Sequence, residues 1–144
     1  MNLTDFGRGI AQHLHDQGVA VRAVGREYRD TEVGIYLGET PSGVSCVALR
    51  CYRVSDSMSG QATIGIQATL RGRPKDKAVE PLHILEAALR DALHGAHGID
   101  LLGGIEVTLI TFFNSTEPEL APDERWGMTA TFYADVFAPG PNLY

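Results

Sequence analysis

Two histidines near the middle of the chain come nearest to the spacing of a metal site. His94 and His97 lie on either side of Gly95. A metal site also needs a third and a fourth ligand. The residues near this pair do not supply further Cys, His or carboxylate side chains at the spacing of a metal-binding motif. His13 and His15 are two positions apart in a predicted helix, so they point in different directions. We therefore expect no bound metal and interpret the first pair as a polar helix end.

A group of carboxylates later in the chain is the other candidate for chemistry. Residues 117–124 include Glu117, Glu119, Asp123 and Glu124. Two carboxylates with separated pKa values can act as general acid and general base. These four lie in a proline-containing loop without an apolar segment to enclose them, so we interpret them as a solvated acidic surface. Because the motifs of phosphate-binding loops, serine hydrolases and zinc proteases are also absent, we predict a protein that is not an enzyme and needs no cofactor.

The acidic loop has a basic counterpart earlier in the chain. Residues 71–77 contain four cationic side chains and one carboxylate, whereas residues 114–127 contain four carboxylates and one arginine. Such oppositely charged projections suit a head-to-tail contact that closes a ring of identical subunits, although both segments can equally be ordinary solvated loops. The single tryptophan is either a core anchor beneath the acidic loop or an anchor of the interface. The candidate interface residues are Arg71, Arg73, Lys75, Lys77, Glu117, Glu119, Asp123, Glu124, Arg125 and Trp126.

Composition and charge indicate one acidic globular domain. The chain has 144 residues, of which 44% are hydrophobic and 21% are charged, as in ordinary folded domains. We expect one domain over residues 1–138 and a short arm over 139–144. The formal net charge of −6 disfavours a protein that grips nucleic-acid phosphates. No apolar run reaches the ~20 residues of a membrane span, and no basic segment precedes an apolar core, so we expect a protein made and kept in a cytoplasm.

Hydrophobic periodicity predicts two helices. Apolar residues recur at helical spacing over residues 3–17, and Gly18 follows in the position of a left-handed cap. A second and stronger apolar stripe covers residues 78–94. Because Pro81 fits only in a first turn, this helix is expected to begin close to position 79 or 80 and to end at Gly95.

Alternating patterns predict the strands. They are expected at residues 19–23, 33–37, 44–54, 62–70, 105–113 and 128–137. Within residues 105–113, alternation places Ile105, Val107, Leu109 and Phe113 on one face, with Ile110 and Phe112 on the other. The predicted fold is α+β, with a mixed, largely antiparallel sheet of about four to six strands. An N-terminal helix and one long central helix pack on this sheet.

The two cysteines lie an odd number of positions apart within one predicted strand. This separation places Cys46 and Cys51 on opposite faces, so a disulfide inside that strand is not expected. We interpret both as small apolar residues of low reactivity.

Taken in order, these elements resemble the tail-terminator (minor capsid or minor tail) proteins of long-tailed bacteriophages over residues 2–138. An N-terminal helix that ends at Gly18 leads into short strands. The later matching segments read ATIGIQATLRGRP, then EPLHILEAALRDALHG, and finally EVTLITFFN followed by RWGMTATFYADVFA. In the last strand of this pattern, aromatic and small residues alternate. Other phage head–tail joining proteins have a similar order of elements.

The resemblance implies a structural role in a virion. Members of this family close into hexameric rings that cap the finished tail tube, end its polymerisation and join the tail to the head connector. The implied partners are further copies of the chain, the major tail tube protein and the head–tail connector or stopper protein, with DNA passing through the lumen without specific binding. The family has no catalytic residues to carry over. Alternative functions are a head-completion or stopper protein of the connector and a small regulatory or ligand-binding α+β domain.

Overall fold

The fold consists of two helices on one face of a curled sheet. The computed structural model describes residues 1–29, 31–41, 43–56, 60–73, 78–101 and 104–138. In chain order the elements are α1 (Leu3–Asp16), β1 (Gly34–Leu37), β2 (Cys46–Asp56), β3 (Gln61–Arg71), α2 (Glu80–Leu93), β4 (Ile99–Leu101), β5 (Ile105–Ser115), β6 (Glu119–Leu120) and β7 (Trp126–Phe137). The predicted α+β class is confirmed. The described strands exceed the expected four to six because β4 and β6 have only three and two residues, too few for an alternating pattern.

Both helices begin and end where local chemistry predicts. The Asn2 side chain caps α1 by accepting a hydrogen bond of 2.8 Å from the Thr4 N–H. Gly18 follows this helix with a φ of +76°, a left-handed conformation that glycine adopts without strain. Helix α2 begins with Pro81 in its first turn, and Gly95 follows its end. Within the part of the chain that the structure describes, neither helix is long and apolar enough to cross a membrane.

The sheet is mixed, with its parallel pair at one edge. The strand order is β1-β2-β3-β7-β5-β4, and β6 pairs with the start of β7. Strands β1 and β2 run parallel, whereas the other described pairs are antiparallel. The central strands β3 and β7 stay in register from the Gln61–Phe137 pair to the Arg71–Gly127 pair. Residues at matching positions therefore stand side by side on the same face.

The hydrophobic core lies between the sheet and the two helices. Helix α1 packs mainly on β1 and β2, and α2 packs on β3, β5 and β7. The alternating residues of the two central strands face these helices, and the buried members are Ala62, Ile64, Ile66, Ala68, Leu70, Met128, Ala130, Phe132, Ala134 and Val136. The alternation predicted for these strands is thus confirmed. Each large aliphatic side chain buried here contributes about 1.5–3 kcal/mol, and this contribution holds the helices on the sheet.

The short strand predicted for residues 19–23 is wrong. Val21 makes one isolated parallel bridge to Gly34, and the segment does not continue as a strand. Its contacts consist of the Val21 N–H donating to Val33 and the Ile35 N–H donating to Val21. A run of five alternating residues is too short to distinguish such a bridge from a strand.

The face assignment within β5 is also wrong in part. Register shifts at 107–109 and 112–114 are β-bulges, and each extra residue reverses the alternation that follows. Ile110 consequently joins the buried face, whereas Leu109 and Phe113 lie on the other face and are exposed. Two further predictions cannot be followed here, because the arm at 139–144 and the lysines of the basic loop lie outside the described residues.

Candidate assembly surfaces

The face of the sheet opposite the helices is not covered by any described element, and we call it the open face. Its central row crosses four strands and consists of Tyr52, Gly65, Tyr133 and Thr111. The next row towards β6 consists of Arg50, Gln67, Thr131 and Asn114. The open face thus combines small polar side chains with aromatic ones and an arginine, and aromatic residues and arginine are enriched at protein interfaces.

Aromatic rings cluster at the centre of the open face, and we call Tyr52, Leu109, Phe113 and Tyr133 the aromatic patch. The Tyr52 ring lies directly over Gly65, where an added Cβ would be only 2.2 Å from Tyr52 Cζ. The rings of Phe113 and Tyr133 have centroids 5.0 Å apart and are tilted by 48°, a favourable geometry for an aromatic pair. Burial raises the pKa of the Tyr52 hydroxyl, and the neighbouring Tyr133 adds to this increase.

The aromatic patch remains substantially exposed in the isolated chain. Tyr52 is 39% exposed, Leu109 is 42% exposed and Phe113 is 57% exposed. Tyr52 and Phe113 lie on either side of Tyr133, and Leu109 is two residues from Thr111 of the same row, so these side chains share one face of the sheet. An exposed apolar patch of this kind is a candidate contact surface.

An acidic hollow of about 580 Å³ lies at the end of the open face where β3 begins. Asp56, Glu106 and Asp135 line it together with threonines. The Thr63 hydroxyl donates a hydrogen bond of 2.9 Å to Asp135 Oδ1, and Asp56 forms an ion pair of 3.3 Å with Arg53. Across the described ranges, no group of three or more His, Cys, Asp or Glu side chains is placed to hold a metal ion.

The opposite end of the sheet carries the charged residues that the sequence singles out. A hollow of about 390 Å³ there is lined by Arg71, Glu117, Glu119 and Leu120. Arg71 lies over Gly127, where an added Cβ would be 3.1 Å from the arginine side chain. Arg71 of the basic loop and two carboxylates of the acidic loop therefore share one hollow within a single chain.

Arg125 lies inside the fold and joins three separate segments. Its side chain is almost fully enclosed, with only 3% of the residue exposed. The guanidinium donates to the carbonyl oxygen of Gly72 at 3.0 Å, to that of Pro41 at 3.1 Å, and to that of Val44. A buried cation needs this number of acceptors to offset the loss of hydration. Arg125 thus holds the acidic loop against the ends of β2 and β3.

The remaining candidate interface residues differ in how exposed they are. Trp126 is half-buried and packs against the core beneath the acidic loop. Asp123, Glu124 and Arg73 are exposed, whereas Lys75 and Lys77 lie outside the described residues. Sequence reasoning did not identify the aromatic patch, because strict alternation placed Leu109 and Phe113 on the same face as the buried Ile105 and Val107, and the bulges of β5 separate them. The signal that could have found it is Gly65, a glycine inside an otherwise regular strand, which often marks a close approach by another group.

The histidines considered as ligands form hydrogen bonds with the backbone. His94 Nδ1 accepts a hydrogen bond of 2.9 Å from the Phe112 N–H, on the outer edge of β5. The Gly95 N–H donates to the Ile110 carbonyl at 2.8 Å on the same edge, and His97 Nδ1 lies 3.1 Å from the Gly95 carbonyl. The connection after α2 therefore covers an edge that would otherwise present free backbone groups.

Comparison with known proteins identifies the fold. No protein-family model and no curated protein match the sequence. Among solved structures, the chain is similar to one from the "Virion of native gene transfer agent (GTA) particle", with a TM-score of 0.63 and 16% identity, over 94% of this chain and 97% of that one. A second solved structure, known only by a sequence identifier, has a TM-score of 0.51 and 17% identity, over 95% of this chain and 94% of that one. At such identities the likeness concerns the fold.

Proposed function

We propose that this chain is a structural, non-catalytic protein of a phage-like virion. The observation that carries the proposal is the likeness, over nearly the whole chain, to a protein chain of a gene transfer agent particle. The order of elements and the matching segments of the tail-terminator family support the same class. In this proposal the protein is assembled in the host cytoplasm and resides in the virion, at the interface between head and tail.

Within this class, the specific role that we propose is that of a tail terminator. Six copies form a ring that caps the tail tube, ends its polymerisation and joins the tail to the head connector. The partners are then the major tail tube protein and the connector or stopper protein. The exposed aromatic patch supports an assembling protein over a monomeric one, because monomers rarely leave such patches uncovered.

The charged loops belong to the proposed subunit contact. Asp123, Glu124 and Arg73 are exposed and thus accessible to a neighbouring subunit, as a contact requires. Arg71 shares a hollow with acidic residues of its own chain, and Arg125 is enclosed, so these two arginines act mainly by shaping the loops. The contact is head-to-tail, because a ring joins two different surfaces of identical subunits.

Mass measurement and microscopy test this role directly. Light scattering after size exclusion should give six times the chain mass of 15.6 kDa. Negative-stain images should show rings, and addition of the rings to growing tail tubes should stop elongation at a fixed end. A protein that stays monomeric both alone and with tubes would refute the terminator role.

DNA is proposed to pass through the ring without being held by it. The net charge of −6 on each chain disfavours tight binding to the phosphate backbone of DNA. Fluorescence anisotropy with a short duplex at about 150 mM salt should give an affinity weaker than micromolar. Tight binding with a steep dependence on salt would instead indicate a nucleic-acid-binding protein.

A further inference from the structure

Two exposed apolar features are not covered by any of the residues that the structure describes. One is the aromatic patch at the centre of the open face. The other is Leu120, which is 57% exposed on the short hairpin formed by β6 and the start of β7. We call residues 119–126 the acidic hairpin, because this segment contains Leu120 together with Glu119, Asp123 and Glu124.

The acidic hairpin cannot reach the aromatic patch of its own chain. Leu120 pairs with Trp126, whereas the patch is centred on Tyr133, seven positions further along β7. At ~3.3 Å for each residue of a strand, these positions are roughly 23 Å apart. The two apolar features can therefore meet only between two different chains.

Charge on the two surfaces is complementary. The acidic hairpin has an exposed carboxylate next to Leu120 at Glu119 and two more in its turn at Asp123 and Glu124. On the open face, alternation places Arg50 beside Tyr52, and this arginine is exposed and has no ion-pair partner among the described residues. A guanidinium is the side chain best suited to carboxylates because it donates two parallel hydrogen bonds.

We propose that the acidic hairpin of one copy docks on the open face of the next copy. Leu120 packs on the exposed rings of Tyr52 and Phe113, and Glu119 pairs with Arg50. The contact joins two different surfaces, so its repetition builds a ring without a free surface of either kind. This inference rests on the proposed ring function and names the surface that receives the acidic loop.

Three exposed positions allow a matched test. Leu120→Asp removes the hairpin anchor, and Phe113→Asp disrupts the receiving patch. Ile84→Asp on α2 is the control, because Ile84 is 63% exposed and lies outside both surfaces. Substitution of an interface anchor should raise the dissociation constant of the contact about thirtyfold or more. Light scattering should therefore find monomers for each of the first two variants and rings for the control.

A mixture of the two defective variants gives the most specific readout. A Phe113→Asp chain keeps an intact hairpin, and a Leu120→Asp chain keeps an intact open face. Mixed in equal amounts, they can form one good contact and no second one, so particles of two chains are expected. Mixtures that stay monomeric would overturn the proposal, as would rings that persist in either single variant.

Charge exchange adds an independent check on the same contact. Arg50→Glu alone should weaken assembly, and combination with Glu119→Arg in one chain should restore it at least tenfold, because the pair is re-formed with reversed signs. No recovery would overturn the assigned pairing. Failure of these tests while wild-type rings persist would refute the contact and leave the ring function intact, whereas wild-type chains that never form rings would refute the function itself.

Discussion

Gly65 and Tyr52 offer the sharpest test of the open face, because the two residues occupy each other's space. Replacement of Gly65 by alanine adds a methyl group at 2.2 Å from the Tyr52 ring, a separation that real atoms do not reach. The ring must rotate away, which removes its packing on the strand and exposes it to water. Overpacking of this kind costs about 1–3 kcal/mol of unfolding free energy.

The sign of the effect should reverse when the tyrosine is absent. The three atoms nearest to the new methyl group all belong to the Tyr52 ring, so a Tyr52→Ala background removes this clash. Alanine is then better than glycine in a strand by roughly 0.5–1 kcal/mol, because the unfolded chain has less freedom to lose. The double-mutant cycle should thus give a coupling of at least about 1.5 kcal/mol between the two positions.

Urea unfolding followed by circular dichroism measures these differences. Low protein concentration is needed so that assembly does not contribute to stability. Gly72→Ala is the matched control, because a Cβ there would meet its nearest atom only at 3.7 Å. Equal destabilisation by Gly65→Ala with and without Tyr52 would show that the ring does not lie over this glycine.

Three further predictions follow from named contacts. Arg125→Met should lower the free energy of unfolding by about 3–5 kcal/mol, because three carbonyl oxygens lose a charged donor, while Arg29→Met at an exposed position should change it by less than about 0.5 kcal/mol in the same urea assay. His94→Ala should cost about 1 kcal/mol by leaving the Phe112 N–H without its acceptor, whereas His94→Asn keeps an acceptor near the Nδ1 position; equal losses in both variants would contradict this. Burial raises the pKa of the Cys51 thiol to about 11, so its alkylation by iodoacetamide, mapped by mass spectrometry, should be slow at pH 8 and should accelerate about tenfold per pH unit towards pH 11. The folded state holds this proton more tightly than the unfolded state, so Cys51 also makes stability fall as pH rises from about 9 towards 11. A rate that levels off near pH 9 would show an unburied thiol.

Sequence reasoning succeeded where one periodicity covers a whole element. The stripe of α2 and the alternation of β3 extend over ten or more residues, so a single irregular position does not obscure them. Both helix ends were predictable, since Gly18 and Gly95 take the left-handed conformation that ends a helix.

Sequence reasoning failed where contacts between segments that are distant in sequence determine the structure. The bulges of β5 depend on how this strand pairs with β7, and no local sequence pattern predicts them. The charge counts of the two loops could not reveal that Arg71 lines the same hollow as Glu117 and Glu119 of its own chain. Arg125 looked like an ordinary loop cation because the carbonyl oxygens that hold it are distant in sequence.

We expect the hydrogen bonds of the enclosed Arg125 guanidinium to form late in folding. Its acceptors at Gly72, Pro41 and Val44 lie 53, 84 and 81 positions away along the chain. Contacts of such sequence separation form late, because long loops must close first. The hairpin that Arg125 holds is consequently set in place only once β2, β3 and β7 have come together. A chain in which these strands have not yet come together lacks the contacts that hold the hairpin, so we expect the hairpin to be available for binding only in fully folded chains.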